Sequence, residues 1–170
     1  DSDDPAPYNV FPTAADDASS STDEDSTLAV GAGDAAAITT LATDGHTDYD
    51  DAVDDIVIEK IAGEPFTADD PVTLSSGATV TVAADGSWTY APSGAFEGLA
   101  AGESTTDVFN YTVTDTEHQG TAAAEATANI TVTVTGVDDP PTALSLDDTT
   151  VAESAGTDAT VGNFSATDAD

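Results

Sequence analysis

The sequence predicts an all-β chain folded as a Greek-key β-sandwich, and three observations carry that reading. Apolar and polar residues alternate with period two in several short runs. Turns built on Gly and Asp separate those runs at close spacing, and no window shows the helical period that would bury one face of a helix. The stretch from Ala83 to Asp115 opens with an Asp85-Gly86 turn and enters a strand with Trp88 and Tyr90 on one face and Thr89 on the other. It continues through Phe96 and Leu99 into a strand with Phe109, Tyr111 and Val113 inward and Asn110, Thr112 and Thr114 outward. The only Trp and two of the five Phe residues lie here. In a chain this poor in large side chains, the core is expected to form around them.

Taken in order, residues 1–23 read as an acidic, Pro/Ser-rich linker or edge-strand segment. Its one apolar patch, Tyr8 to Phe11, is confined to a sheet edge by Pro5, Pro7 and Pro12. Ser26–Val30 and Ala37–Leu41 read as strands, and Ala42–Asp55 as a loop with six Asp in fourteen residues. Ile56–Ile61 is a β-branched strand. A meander follows: Val72–Leu74 turns at Ser75-Ser76-Gly77 into Ala78–Val82, which turns at Asp85-Gly86 into Ser87–Ala91. Thr105–Asp115 is a long strand, turned at Thr116–Gly120 into Ala122–Thr135, where Ile130, Val132 and Val134 alternate with Thr. Gly136–Pro141 is a boundary, because Pro140-Pro141 cannot continue a ladder. Beyond it, Ala143–Leu146 and Thr160–Ser165 restart a strand pattern that is too short to bury a core alone. The expected organisation is a linker or edge segment over 1–23, a sandwich over 24–137, and a linker with the first strands of a second module over 138–170. That second module is either truncated or completed by a neighbouring chain.

Composition narrows the function. The 170 residues carry 34 acids against one basic side chain, Lys60, for a net charge of −33. Such a surface repels nucleic acid and anionic lipid. No Cys is present, which removes disulfides and thiolate metal sites. No apolar run approaches a membrane span and no signal peptide is visible. The absence of Met implies a processed or internal piece of a longer protein. Two readings of the acid are compatible: a halophile-style surface screened by salt, and carboxylate clusters for Ca²⁺, a hard cation that takes oxygen ligands.

The residues from Pro71, PVTLSSGATVTVAADGSWTYAP and AFEGLAAGESTTDVFNYTVTD, with the returning AEATANITVTVTGVDDPP, resemble the VCBS and related tandem cadherin-like repeats of giant bacterial and archaeal surface proteins. The likeness runs from about Thr22 to Pro141, and the tail from Asp138 looks like the opening of a second cadherin-like module. The resemblance implies a cadherin/Ig-like sandwich with no enzymatic activity, secreted or held at the cell surface, used for adhesion or surface structure and stiffened by Ca²⁺ at module junctions. The Ca²⁺ ligands it implies lie at module ends: Glu24 within the Asp23-Glu24-Asp25 group, Asp48 and Asp50 of the long loop, and Asp115 at a strand end. For the second module they are Asp138 and Asp139 of the linker, Glu153, and Asp168 with Asp170. No EF-hand or nonapeptide Ca²⁺ loop occurs.

Three sequons, at Asn110, Asn129 and Asn163, offer glycosylation sites if each apolar middle residue faces inward and its Asn faces solvent. His46 and His118 lie in loops without a nucleophile motif, so no catalytic residue is expected. Lys60 is expected to pair with nearby acids. Trp88 and Tyr90 are expected in the core rather than on a sugar-binding platform. Joining the C-terminus to the N-terminus gives SATDAD followed by DSDDPAPYNVF, a continuous phrase consistent with one period of a tandem array. The expected partners are therefore neighbouring modules or identical subunits, with surface glycans or other cells beyond them. The expected function is a Ca²⁺-binding structural or adhesion module; the alternative is a subunit of an extracellular filament, sheath or surface layer built by strand exchange.

Overall fold

A computed structural model describes residues 12–43, 56–115, 125–154, 156–159 and 161–169. Among them, one sheet takes β2 (Asp17–Asp23), β11 (Glu125–Thr135), β10 (Ser104–Asp115), β5 (Ile56–Ile61) and β6 (Glu64–Pro65), in that order. A second takes β3 (Leu28–Val30), β9 (Trp88–Ala91), β8 (Thr79–Val82) and β7 (Pro71–Thr73). Two short pairs complete the set: β1 (Thr13–Ala14) with β4 (Ala42–Thr43), and β12 (Ala143–Leu146) with β13 (Phe164–Thr167). The fold is all-β, as expected from the alternation and turn spacing.

The alternating residues meet between the two main sheets. Trp88, Tyr90, Val80 and Val82 come from one side, and Phe109, Tyr111, Val113, Ile130, Val132 and Val134 from the other, all at most 2 % exposed. Trp88 and Phe109 make an edge-on contact across the layers, with ring centroids 5.4 Å apart. The Trp88 indole N–H donates to the Ala36 carbonyl. The Tyr90 hydroxyl (2.8 Å) and the Ser76 hydroxyl (2.6 Å), both from the second sheet's side, donate to the buried Asp107 carboxylate of the first. One charged acceptor thus ties the layers together. Burial and the Asp107 carboxylate drive the Tyr90 hydroxyl far above its ordinary pKa, so it stays a donor.

The structure corrects three expectations. Ala37–Leu41 does not pair as a strand: Ile38–Leu41 forms a single helical turn, α1. The Ile38 amide donates to the Gly86 carbonyl and the Thr39 hydroxyl to that of Asp85, so the segment docks on the β8–β9 turn. A Cβ at Gly86 (φ +80°) would lie 2.5 Å from Thr39, which is why that turn needs glycine. Residues 17–23, within the segment read as a linker or edge strand, form β2, an edge strand parallel to β11 with only Ser20 turned fully inward. Thr112 and Thr114, expected outward, are buried at 4 % and 0 %. The register with β5 slips between Thr112 and Val113, and Lys60, opposite Thr112, reaches across to Glu125, opposite Thr114. Phe164, expected inward as the middle of a sequon, is 73 % exposed, because the two-stranded β12–β13 ribbon has no second layer.

Candidate metal site

Register brings three acidic segments to one pole of the sandwich. Because β2 and β11 run parallel with Asp23 beside Thr135, the residues that follow each strand leave the sheet side by side. Ser104, the first residue of β10, also pairs with Thr135, so the connection between β9 and β10 ends at the same pole. Gly136 fastens that connection. Its amide donates to Glu103, its carbonyl accepts from Gly102, and a Cβ there would lie 2.5 Å from the carbonyl oxygens of Leu99 and Ala100.

Carboxylates converge where these segments meet. Oxygens of Asp25, Glu97 and Asp139 lie within 4.8 Å of one another. Glu24, at 2 % exposure, sits behind them. Its Oε1 accepts the Val137 amide at 2.9 Å, while its Oε2 is buried with no hydrogen-bond partner. A buried carboxylate oxygen without a donor is costly unless something positive answers it. Partial burial, then the charges of Asp139, Asp25 and Glu24, push the Glu97 carboxyl above its ordinary value. Three carboxylates from three segments, with Glu24 buried beside them, offer the hard oxygen donors that Ca²⁺ takes in flexible geometry.

The sequence-expected ligands divide accordingly. Glu24 and Asp139 belong to this pole, and Asp25 comes from the expected acidic group beside Glu24. Asp138, next to Asp139, is exposed. Glu153 is exposed in the C-terminal segment, and Asp168 is exposed with its Oδ1 accepting the Ala169 amide. The Ala169 carbonyl lies 3.8 Å from where a Cβ on Gly98 would be, so the end of β13 runs beside the Glu97 loop. Asp48, Asp50, Asp170, the Asp115 side chain, His46 and His118 lie outside the described residues. Glu97 was missed: it sits in FEGLAAGE, a connection read only for its apolar Phe96 and Leu99. Its one available signal was the position of that connection beside the strand leading to the linker.

Among the sequons, Asn110 and Asn129 form a directly opposed cross-strand pair, with Tyr111 and Ile130 fully inward as expected. Asn129 is exposed, and its amide donates to Asp16 at 2.7 Å. The Asn163 side chain donates to Asp147 at 3.0 Å and holds that carboxyl below the usual range. Lys60 pairs with Glu125 at 2.9 Å and Glu59 at 3.6 Å. Among the described residues, no helix is long and apolar enough to cross a membrane.

No curated protein matches the chain. The family model for the bacterial cadherin-like domain matches residues 9–136, a span that holds both main sheets, Glu24 and two of the three clustered carboxylates. Such domains are generally non-enzymatic structural or adhesive modules. The chain belongs to the bacterial cadherin-like domain family.

Proposed function

We propose that this chain is a Ca²⁺-dependent, non-enzymatic structural or adhesion module, of VCBS type, in a large repetitive extracellular surface protein. The observation that carries the reading is Glu24, a buried carboxylate with an unpartnered oxygen, behind Asp25, Glu97 and Asp139. Ca²⁺ there would neutralise like charges from the β2–β3 crossing, the β9–β10 connection and the linker, and so fix the direction in which the chain leaves the sandwich. Asp138 beside Asp139 and Asp168 of the C-terminal segment are the further candidate ligands, supported by the Ala169 carbonyl passing beside Gly98 of the Glu97 loop, with residues 138–170 opening a second module. Calorimetric titration of the metal-free protein with CaCl₂, with thermal melts beside it, tests this. Heat of binding and a rise in melting temperature are expected; neither signal at millimolar Ca²⁺ would sink the proposal.

A second reading is favoured by a different observation. Four large apolar side chains of the C-terminal segment, Leu144, Val151, Val161 and Phe164, are 41–73 % exposed. A segment that presents them is suited to being covered by identical subunits in a filament, sheath or surface layer. Electron microscopy of native material separates the readings: ordered polymers favour assembly, and beaded single chains favour the adhesin.

A further inference from the structure

Two of the three sequons lie opposite one another on the outward face of the five-stranded sheet. Asn129 on β11 pairs with Asn110 on β10, and the residue after each, Ile130 and Tyr111, is fully buried. Asn129 is exposed and Asn110 half-buried. Residues two apart in a strand share a face, so Thr131 stands on the same side as Asn129, roughly 6.6 Å along β11. The third sequon lacks this arrangement. Its middle residue, Phe164, is exposed, and Asn163 is committed to Asp147 through both its backbone and its side-chain nitrogen.

The surroundings of Asn129 differ from the acidic surface elsewhere. In a chain with 34 acids, its outward neighbours Thr106, Val108, Asn110, Thr127, Thr131 and Thr133 are all uncharged. Val108, directly opposite Thr131, is 49 % exposed. Among the described residues of the two main sheets it is the one exposed large apolar side chain. A glycan is bulky and solubilising. Rooted at Asn129 and lying towards β10, it would cover Val108 and give this face the hydration that its own side chains supply poorly. Asp16 accepts the Asn129 backbone amide at 2.7 Å and the side-chain amide only at 3.5 Å. The stronger contact is to the backbone, so it survives substitution on Nδ2.

We propose that Asn129, alone of the three sequons, carries an N-linked glycan. Opposed Cβ atoms of antiparallel strands lie roughly 4.5–5.5 Å apart, too close for sugar chains on both Asn110 and Asn129, and Asn129 is the more exposed. In the transfer, Asn129 Nδ2 attacks the anomeric carbon of a phosphate-activated oligosaccharide. An N–C bond forms, the C–O bond to phosphate breaks, the phosphate leaves, and the transferase takes one amide proton. Because β11 is paired on both edges, by β2 and β10, transfer precedes closure of the sheet, and the folded face has only to accommodate the product. The inference rests on the extracellular reading and is independent of the Ca²⁺ site.

Mass spectrometry of the protein from its native cells tests this. Cleavage after Glu125 and Asp138 separates Asn129 from the other two sequons. That peptide is expected to be heavier by whole monosaccharide residues, and the peptides holding Asn110 and Asn163 to have their unmodified masses. Asn129→Gln and Thr131→Ala should each abolish the increment. Thr131→Ser, which keeps the hydroxyl, should retain it, and Asn110→Gln should leave it unchanged. A bare Asn129 overturns the proposal, as does sugar on Asn110 or Asn163. An increment that persists in Asn129→Gln places the sugar on a hydroxyl and overturns it too. Digestion of intact cells with added protease separates this from the extracellular reading. A chain that is digested but bare sinks the glycan and leaves the surface reading standing. A chain that is glycosylated but protected upholds the glycan and sinks the surface reading, and one both bare and protected sinks both.

Discussion

Replacing Glu24 with Gln should change stability in opposite directions with and without calcium. The substitution keeps the shape and leaves an oxygen for the Val137 amide, but removes the charge behind Asp25, Glu97 and Asp139. In EDTA the native protein holds a buried carboxylate oxygen with no donor, an arrangement that costs on the order of 1–3 kcal/mol. An amide there can donate to the neighbouring carboxylates, so Glu24→Gln should stabilise the metal-free protein by about 1–3 kcal/mol. With calcium at 100 times its dissociation constant, binding stabilises the unmodified chain by about 2.7 kcal/mol. If loss of this ligand weakens binding on the order of 100-fold, the same calcium concentration yields only about 0.4 kcal/mol, and about 2.3 kcal/mol of the calcium effect disappears. Urea unfolding of both proteins in EDTA and in CaCl₂ measures all four values. If the variant is destabilised in EDTA, or its calcium-induced shift equals that of the unmodified chain, Glu24 is an ordinary buried residue and the site is misassigned.

Gly136→Ala should cost about 2–4 kcal/mol, since its Cβ meets two backbone oxygens and its two loop hydrogen bonds are strained. It should weaken calcium binding too, whereas Gly33→Ala, with open space around it, should stay within about 0.5 kcal/mol in urea melts. Tyr90→Phe takes one of the donors from the buried Asp107 carboxylate and should cost about 1.5–3 kcal/mol in the same assay. Glu97 holds its proton above the ordinary 4.5 when folded, so its contribution is fully present below that value and lost as pH rises through the folded pKa. The metal-free protein should therefore weaken over that rise, and Glu97→Gln should weaken less, as judged by urea midpoints across the series. Sodium chloride should stabilise gradually up to molar concentration, while calcium should saturate with a single midpoint; identical molar dependences at equal ionic strength would reduce calcium to a screening ion.

The fold was legible where burial writes a period into the sequence. Trp88, Tyr90, Phe109, Tyr111, Ile130, Val132 and Val134 alternate because each lines the space between two sheets, and all are inward as read. The chain was illegible where position is set by partners instead of by the hydrophobic pattern. The β2 segment, DASSSTD, has almost nothing to bury, and becomes a strand only because β11 offers it an edge. The α1 turn forms because Gly86 and Asp85 offer acceptors to Ile38 and Thr39. Thr112 and Thr114 obey alternation but are covered by the Lys60–Glu125 pair reaching over them. The site shows the same division. Glu24 and Asp139 follow the ends of β2 and β11, at the expected module boundary, so they could be nominated from sequence. Glu97 could not, since its approach depends on Gly136 clasping the connecting loop.

The net charge of −33 is therefore two phenomena. The inner strands of the second sheet, β8 and β9, carry Thr and Ala outward and contain no acid, so the carboxylates there are displaced into turns and connections. Most of these are exposed and separated, and at physiological ionic strength charges more than about 8 Å apart scarcely interact. They account for a highly charged surface but require no particular ion. The pole formed by Glu24, Asp25, Glu97 and Asp139 differs in kind: its outer oxygens are packed within 4.8 Å and its innermost residue is sealed from solvent. Even at molar salt, the screening length of about 3 Å acts through mobile ions that cannot enter a buried oxygen's shell without becoming ligands. Surface acids are served by any screening cation; on the proposed reading, the Glu24 pole takes one that binds.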